Sequence, residues 1–209
     1  GSGLIGATPS EKEEYYLPEL VEGDPLLASF GVENIGGFEA VIPSSYFRYA
    51  RLAGARPNAA GRSLTWTGFD SPLLDAAGLR YLFLPPNLKP GPRFRLLSSS
   101  PRLAVYENPR AFPRAWIVGR AVASDDEALL LKTDLRTTAI LEPGPLPPLD
   151  PTARGEARRL PDGTWDVETS GLSLLVLSET WDAGWEAVVD GVHLAVKLHT
   201  SHPAAQVPQ

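Results

Sequence analysis

The sequence predicts an α+β fold: an N-terminal α/β region with a small mixed sheet and short helices, followed by an antiparallel β-sandwich. Three observations carry this expectation. Residues 70–84 run from a helix start, Asp70-Ser71-Pro72, through Gly78 into the apolar run LRYLFL, which is the helix–strand order of an α/β unit. The run PGPLPPLDP at 143–151 is proline-rich, and such a segment is stiff, extended and suited to a linker. Beyond it every segment reads as strand. The expected division is therefore an α/β region at 1–142, a linker at 143–155 and a sandwich at 156–209.

Taken in order, residues 1–25 are polar and acidic, punctuated by Pro18 and Gly23-Asp24-Pro25. Tyr46, Tyr49 and Ala50 recur at helical spacing, with Pro43 and Ser44-Ser45 as the start. Gly54, Pro57-Asn58 and Gly61 predict a loop. Ser71 is a cap and Pro72 fits a first turn, Leu73-Leu74 and Ala76-Ala77 fill a short helix, and Gly78 closes it. Strands are then expected at 79–84, 103–107, 116–118 and 137–141. Ser124-Asp125-Asp126-Glu127 has the pattern of a capping box for a helix over 125–133.

After the proline run, Pro161-Asp162-Gly163 separates strands at 156–160 and 164–169. Further strands are expected at 172–177, 185–189 and 192–198, and 201–209 reads as a polar tail. Asp190-Gly191 joins two apolar segments, and a tight hairpin needs residues that accept positive φ there. About five strands are fewer than the roughly seven of a typical sandwich. Either strands lie beyond this segment or the edge is closed in another way.

Composition narrows the function. The 209 residues are 43% apolar and 21% charged, as in a folded protein. A net charge of −6 and the lack of any Lys/Arg run argue against nucleic acid as a partner. No apolar stretch approaches the roughly 18–20 residues that span a bilayer, and no basic-then-apolar leader is evident, so a soluble piece is expected. Cysteine is absent, which removes disulfides, thiolate nucleophiles and Cys-based zinc sites. Methionine is absent too, even at position 1, which predicts a fragment or processed chain.

The sharpest candidate site is the corner Trp181-Asp182-Ala183-Gly184-Trp185 with Glu179 and Glu186 beside it. An aromatic face with acceptors nearby suits a sugar ring and its hydroxyls. Glu179, Asp182, Glu186 and Trp181 are the glycan-contact candidates. The competing reading makes the tryptophans core plugs, Trp185 above all, and the acids solvated turn residues. Glu179 with Asp182, or Asp70 with Asp75, would serve as an acid/base pair for glycoside hydrolysis, but turn and cap roles explain them as well. His193, His199 and His202 cluster without any His-x-Glu or HExxH spacing and read as a polar terminus. Arg48, Arg51 and Arg56 read as a solvated face. No Gly-x-Ser-x-Gly elbow, P-loop or dinucleotide fingerprint is present. No catalytic residue, metal or cofactor is therefore expected.

Three stretches also share a wording. ASFGVENIGGFEAVIPSSYFRYARL at 28–52 leads from small residues through Gly37-Phe38-Glu39 into an aromatic helix. Within 69–118, Val105-Tyr106-Glu107-Asn108-Pro109 and Phe112-Pro113-Arg114-Ala115-Trp116 give strand, Asn-Pro turn, Pro-Arg-Ala, strand. LLVLSETWDAGWEAVVDG occupies 174–191. In this order they resemble the C-terminal extracytoplasmic region of the bacterial YfhO family, GT-C-like polytopic membrane proteins linked to glycosyl transfer onto cell-envelope polymers. Phe38 and Glu39 stand where the family pattern has Tyr and Asp. The resemblance implies a non-catalytic module on the extracytoplasmic face of the bacterial membrane. Its partners would be the transmembrane part of the same parent chain, which would hold the chemistry and the lipid-linked donor, and cell-envelope glycan. The alternatives are a free-standing carbohydrate-binding or adhesive β-sandwich and, third, a glycoside hydrolase.

Overall fold

The structure is a computed structural model that describes residues 3–6, 35, 43–57, 64–66, 68–180, 186–189, 191–194, 196–199 and 202–207. The described elements are mostly β, in several small sheets with two α-helices, consistent with the α+β expectation. The chain divides into two compact units, Gly1–Ala111 and Phe112–Gln209.

The first unit contains β1 (Gly3–Gly6), α1 (Ser44–Leu52), β2 (Ala55–Pro57), β3 (Leu64–Trp66), α2 (Leu73–Ala76), β4 (Leu79–Leu84), β5 (Arg95–Ser99) and β6 (Ala104–Glu107). Helix α1 buries Tyr49 and Ala50, as the helical spacing requires, and exposes Arg48 and Arg51. In α2 all four residues are buried. Ser71 does assist the start, its Oγ accepting from the Leu73 N–H at 3.3 Å. The principal sheet has the order β1-β4-β6-β5, with β1 parallel to β4 and the other pairs antiparallel. Strand β4 turns Leu82 and Leu84 inward and leaves Tyr81 and Phe83 half-buried, the alternation of a sheet with one well-covered face. Leu73, Leu74, Leu79, Leu82 and Leu84 form the fully buried centre.

Strand β5 has no counterpart in the sequence expectation. RLLSS lacks apolar alternation and all five residues are exposed. It exists as a strand because its backbone pairs with β6, not because its side chains pack.

The second unit begins with β7 (Ala115–Val118), β8 (Arg120–Ala123) and β9 (Thr138–Leu141), with a 3-10 helix (Glu127–Leu131) between the last two. That short helix replaces the expected α-helix at 125–133. Its cap is Asp126, whose carboxylate accepts from the Ala128 N–H at 2.9 Å. There follow β10 (Gly155–Arg159), β11 (Trp165–Thr169), β12 (Ser173–Leu177), β13 (Ala187–Val189), β14 (Val192–Leu194), β15 (Val196–His199) and β16 (His202–Val207). The expected hairpin is present between β13 and β14, with Val189 opposite Val192 and Gly191 at φ +81°; Asp190 lies outside the described residues. The expected strand at 192–198 is two strands, and the expected polar tail contains β16.

The main sheet of this unit has the order β7-β12-β16-β15-β9-β8 and is antiparallel except for the parallel β8–β9 pair. Strands from both sides of the proline run thus lie in one sheet. The expected boundary at 142/143 is not where the chain divides, and 143–155 does not separate two domains. The segment packs on its own unit. Leu149 packs against the buried cluster of Val118, Ala139, Leu141, Leu174 and Val176, Ala153 is buried, and the Asp150 N–H donates to the Leu172 carbonyl at 2.8 Å. A Cβ at Gly119 would overlap the Asp150 carbonyl, so glycine is what allows this close approach. An extended proline-rich backbone is as able to lie along a sheet as to bridge two domains.

Strand β12 is the centre of this unit. Leu174 and Val176 pack on one face with Val118, Ala139 and Leu141. Leu175 packs on the other with Ala115, backed by Ala157, Trp165 and Val167 of the β10–β11 hairpin. A strand buried on both faces reads as a continuous apolar run, which is why SLLVL shows no alternation.

Candidate functional site

The corner following β12 is built by its pairing with β7. Register sets Leu177 opposite Ala115, and one step further the Ser178 N–H donates to the Arg114 carbonyl at 2.8 Å. Glu179 then meets the Arg114 side chain. Arg114 Nε donates to Glu179 Oε1 at 3.0 Å, and its Nη2 lies 2.6 Å from Oε2. This is a two-pronged guanidinium–carboxylate fork, the strongest and most directional geometry for such a pair. Both side chains are about three-quarters buried, at 24% and 27% exposure, so solvent still screens them. The pair contributes about 1 kcal/mol and fixes the Glu179 carboxylate in direction. A carboxylate offers about four acceptor positions, so a fork leaves capacity for a ligand hydroxyl.

The approach to β7 is packed in the same way. Phe112 and Trp116 meet edge to face at 5.2 Å, and the Arg136 guanidinium lies 3.9 Å from the centre of the Phe112 ring. Trp116 Nε1 donates to the Leu135 carbonyl at 2.9 Å. Arg136 occupies the Phe112 face that would otherwise be a stacking platform.

Of the other candidates, Glu186 is exposed and immediately precedes β13. Trp181 and Asp182 lie outside the described residues, as do Trp185 and Gly37-Phe38-Glu39. Among the described residues, then, Glu179 is joined to Arg114 and Glu186 is brought to neither. His199 and His202 are backbone partners across the β15–β16 hairpin, whereas His193 belongs to β14, in another sheet. Arg48, Arg51 and Arg56 are exposed, as a solvated face requires.

Asp70 and Asp75 have different roles. Asp70 is exposed, and its backbone carbonyl accepts from Arg93 Nη1 at 2.8 Å. Asp75 is buried and is the centre of a polar hub. Arg93 Nη2 donates to its Oδ1, Asn108 Nδ2 donates to the same oxygen at 2.7 Å, and Arg110 Nε stands 3.4 Å from Oδ2. Asn108 also donates to the Leu79 carbonyl at 2.9 Å, and Arg93 Nη1 reaches the Ser71 carbonyl at 3.1 Å. The hub ties α2, β4 and the segments before β5 and after β6 to one carboxylate. Burial draws the Arg93 guanidinium below the ordinary arginine value, opposed by the attraction of Asp75. Nearby, the Tyr49 hydroxyl donates to the Leu73 carbonyl at 2.6 Å, and burial pushes its pKa well above the usual tyrosine range. With both carboxylate oxygens engaged by cations or amide, Asp75 is a structural anion and not half of a hydrolytic pair.

Arg114 and Asn108 lie inside sequence motifs that assign neither a partner, and Arg93 lies in none. Arg114 and Glu179 are 65 positions apart and Asp75 and Asn108 are 33 apart. No local pattern signals either contact. The available hint was a carboxylate in an otherwise apolar stretch, Leu73-Leu74-Asp75-Ala76, since an acid buried among such neighbours needs partners.

No protein-family model, no curated protein and no solved structure matches the chain.

Proposed function

We propose that this chain is the soluble extracytoplasmic, non-catalytic module of a polytopic, YfhO-like membrane protein that acts on cell-envelope glycopolymers. In this reading the corner after β12 is its glycan contact. One observation supports it above the others. Two of the three stretches that carry the resemblance, Phe112-Pro113-Arg114-Ala115-Trp116 and 174–191, are hydrogen-bonded neighbours through β7 and β12 and are joined by the Arg114–Glu179 fork. Motifs far apart in sequence that make one structural corner are more coherent than either is alone. The finer fold reading is a small β-sandwich, with the six-stranded sheet as one layer and the β10–β11 hairpin as part of the other; the packing of Trp165 and Val167 on the Leu175 face supports it.

The upstream coding sequence tests the membrane assignment. About a dozen apolar segments of roughly 20 residues are expected there, and a signal peptide alone would instead favour a free-standing carbohydrate-binding module. The glycan contact is tested by titrating cell-wall oligosaccharides against tryptophan fluorescence in the parent and in Trp181→Ala. A saturable response lost in the variant is expected, and no response in either retires the corner as a sugar site. Product release from a glycoside panel would overturn the non-catalytic assignment.

A further inference from the structure

Between Asp75 and Glu107 the chain carries no acid and five cations, Arg80, Lys89, Arg93, Arg95 and Arg102, although the whole chain is at −6. The same interval contains Leu88, Leu96 and Leu97, which are 37%, 50% and 47% exposed. Leu96 and Leu97 lie on β5, the end strand of its sheet. Arg95 is exposed on that strand, Arg102 is exposed in the turn joining it to β6, and Lys89 is exposed in the loop leading into it. Among the described residues, three acids meet this interval. Glu107 pairs with Arg95 and Asp75 pairs with Arg93, while Asp70 offers Arg93 its carbonyl. We propose that the β5 edge is a docking surface for an anionic lipid layer.

The apolar residues and the charge select that occupant together. Exposed leucines flanked by Lys and Arg are the composition of an element that inserts shallowly among headgroups while its cations meet lipid phosphates. Addition of an extra strand is disfavoured, because the ladder is broken by a bulge between Leu96 and Ser98. Bulges and edge cations are the devices that keep sheet edges from pairing. A stable protein partner needs about 800 Å² on each side, and three half-exposed leucines fall well short of that. The inference goes beyond the proposed function, since it stands on the charge and exposure of residues 80–102 whatever lies upstream.

The test is co-sedimentation of the 209-residue chain with phosphatidylglycerol–phosphatidylcholine vesicles and with pure phosphatidylcholine vesicles. Binding to the anionic vesicles alone is expected, and it should fall between ~0.05 M and ~0.5 M salt as screening shortens. The double variant Leu96→Ser/Leu97→Ser should weaken it about tenfold, and Lys89→Gln and Arg102→Gln about fivefold each. Val122→Ser, at an exposed position of β8 in the other unit, should bind as the parent does. The proposal is overturned by equal affinity for neutral vesicles, by no binding to either, or by binding that none of the β5-edge variants changes. It is also overturned if sedimentation equilibrium shows a dimer that Leu97→Ser dissociates, since the edge would then belong to a second copy. None of these outcomes alters what the upstream sequence says about a membrane-spanning parent.

Discussion

The two units use the same chemistry, arginine against carboxylate, in opposite settings. In the first unit Asp75 and Arg93 are both only 8% exposed at the side chain, and Asn108 completes the contact from 33 residues away. In the second, Arg114 and Glu179 keep about a quarter of their surface in water and close the end of an apolar ladder. The buried pair cannot be removed by halves, because each charge depends on the other for the solvation it lost. The part-exposed pair can fall back on water. Burial, not the kind of pair, sets how much each holds, and the second unit relies instead on the two-sided apolar packing of β12.

That difference is open to direct attack. Asp75→Ala leaves Arg93 buried without its carboxylate and should cost about 3–5 kcal/mol, read from denaturant midpoints. A loss below ~1 kcal/mol would mean that the hub is solvated and the comparison fails. Leu174→Ala removes a side chain packed into the centre of the second unit and should cost about 3 kcal/mol. Glu179→Gln should cost about 1 kcal/mol or less, with the effect shrinking in high salt. Parity between Glu179→Gln and Asp75→Ala would mean that burial does not separate the two pairs.

Two pH effects sharpen it further. The Tyr49 pKa is raised by burial above the ordinary 10.0. Its stabilisation is therefore full below pH 10 and is lost as pH rises from there towards the folded value. Tyr49→Phe should cost about 1 kcal/mol at neutral pH through the bond to Leu73 and should flatten the alkaline loss in a pH series of melting curves. The smallest effect is expected at Asp150, which is half-buried. Thr152 holds its carboxyl below the ordinary 3.8 through a side-chain and then a backbone hydrogen bond. That stabilisation is present above pH 3.8 and is lost as pH falls through the lowered value. Thr152→Val should therefore differ from the parent at neutral pH and converge with it in acid.

Local order was largely legible. LRYLFL, the Ala115–Val118 strand and the β13–β14 hairpin with Gly191 formed as expected because each is specified by its own residues: apolar runs seek burial, and glycine accepts positive φ. The strands without that signature were not legible. β5 carries exposed residues throughout and β8 is half-exposed, and both depend on a neighbour's free backbone groups. Of the candidate site, Glu179 was named but its partner was not, since a pair 65 residues apart has no spacing rule.

By itself, then, the sequence determined the α+β class, several of the strands and turns, the lack of thiol chemistry and the core strand SLLVL. Tertiary structure alone decided that the chain divides near residue 111 and not at the prolines, that Asp75 is a buried strut, and that Arg114 grips Glu179. The physical reason is range. Propensity, periodicity and turn chemistry act over a few residues, whereas sheet order and ion-pair choice depend on which distant surfaces the folded backbone brings together.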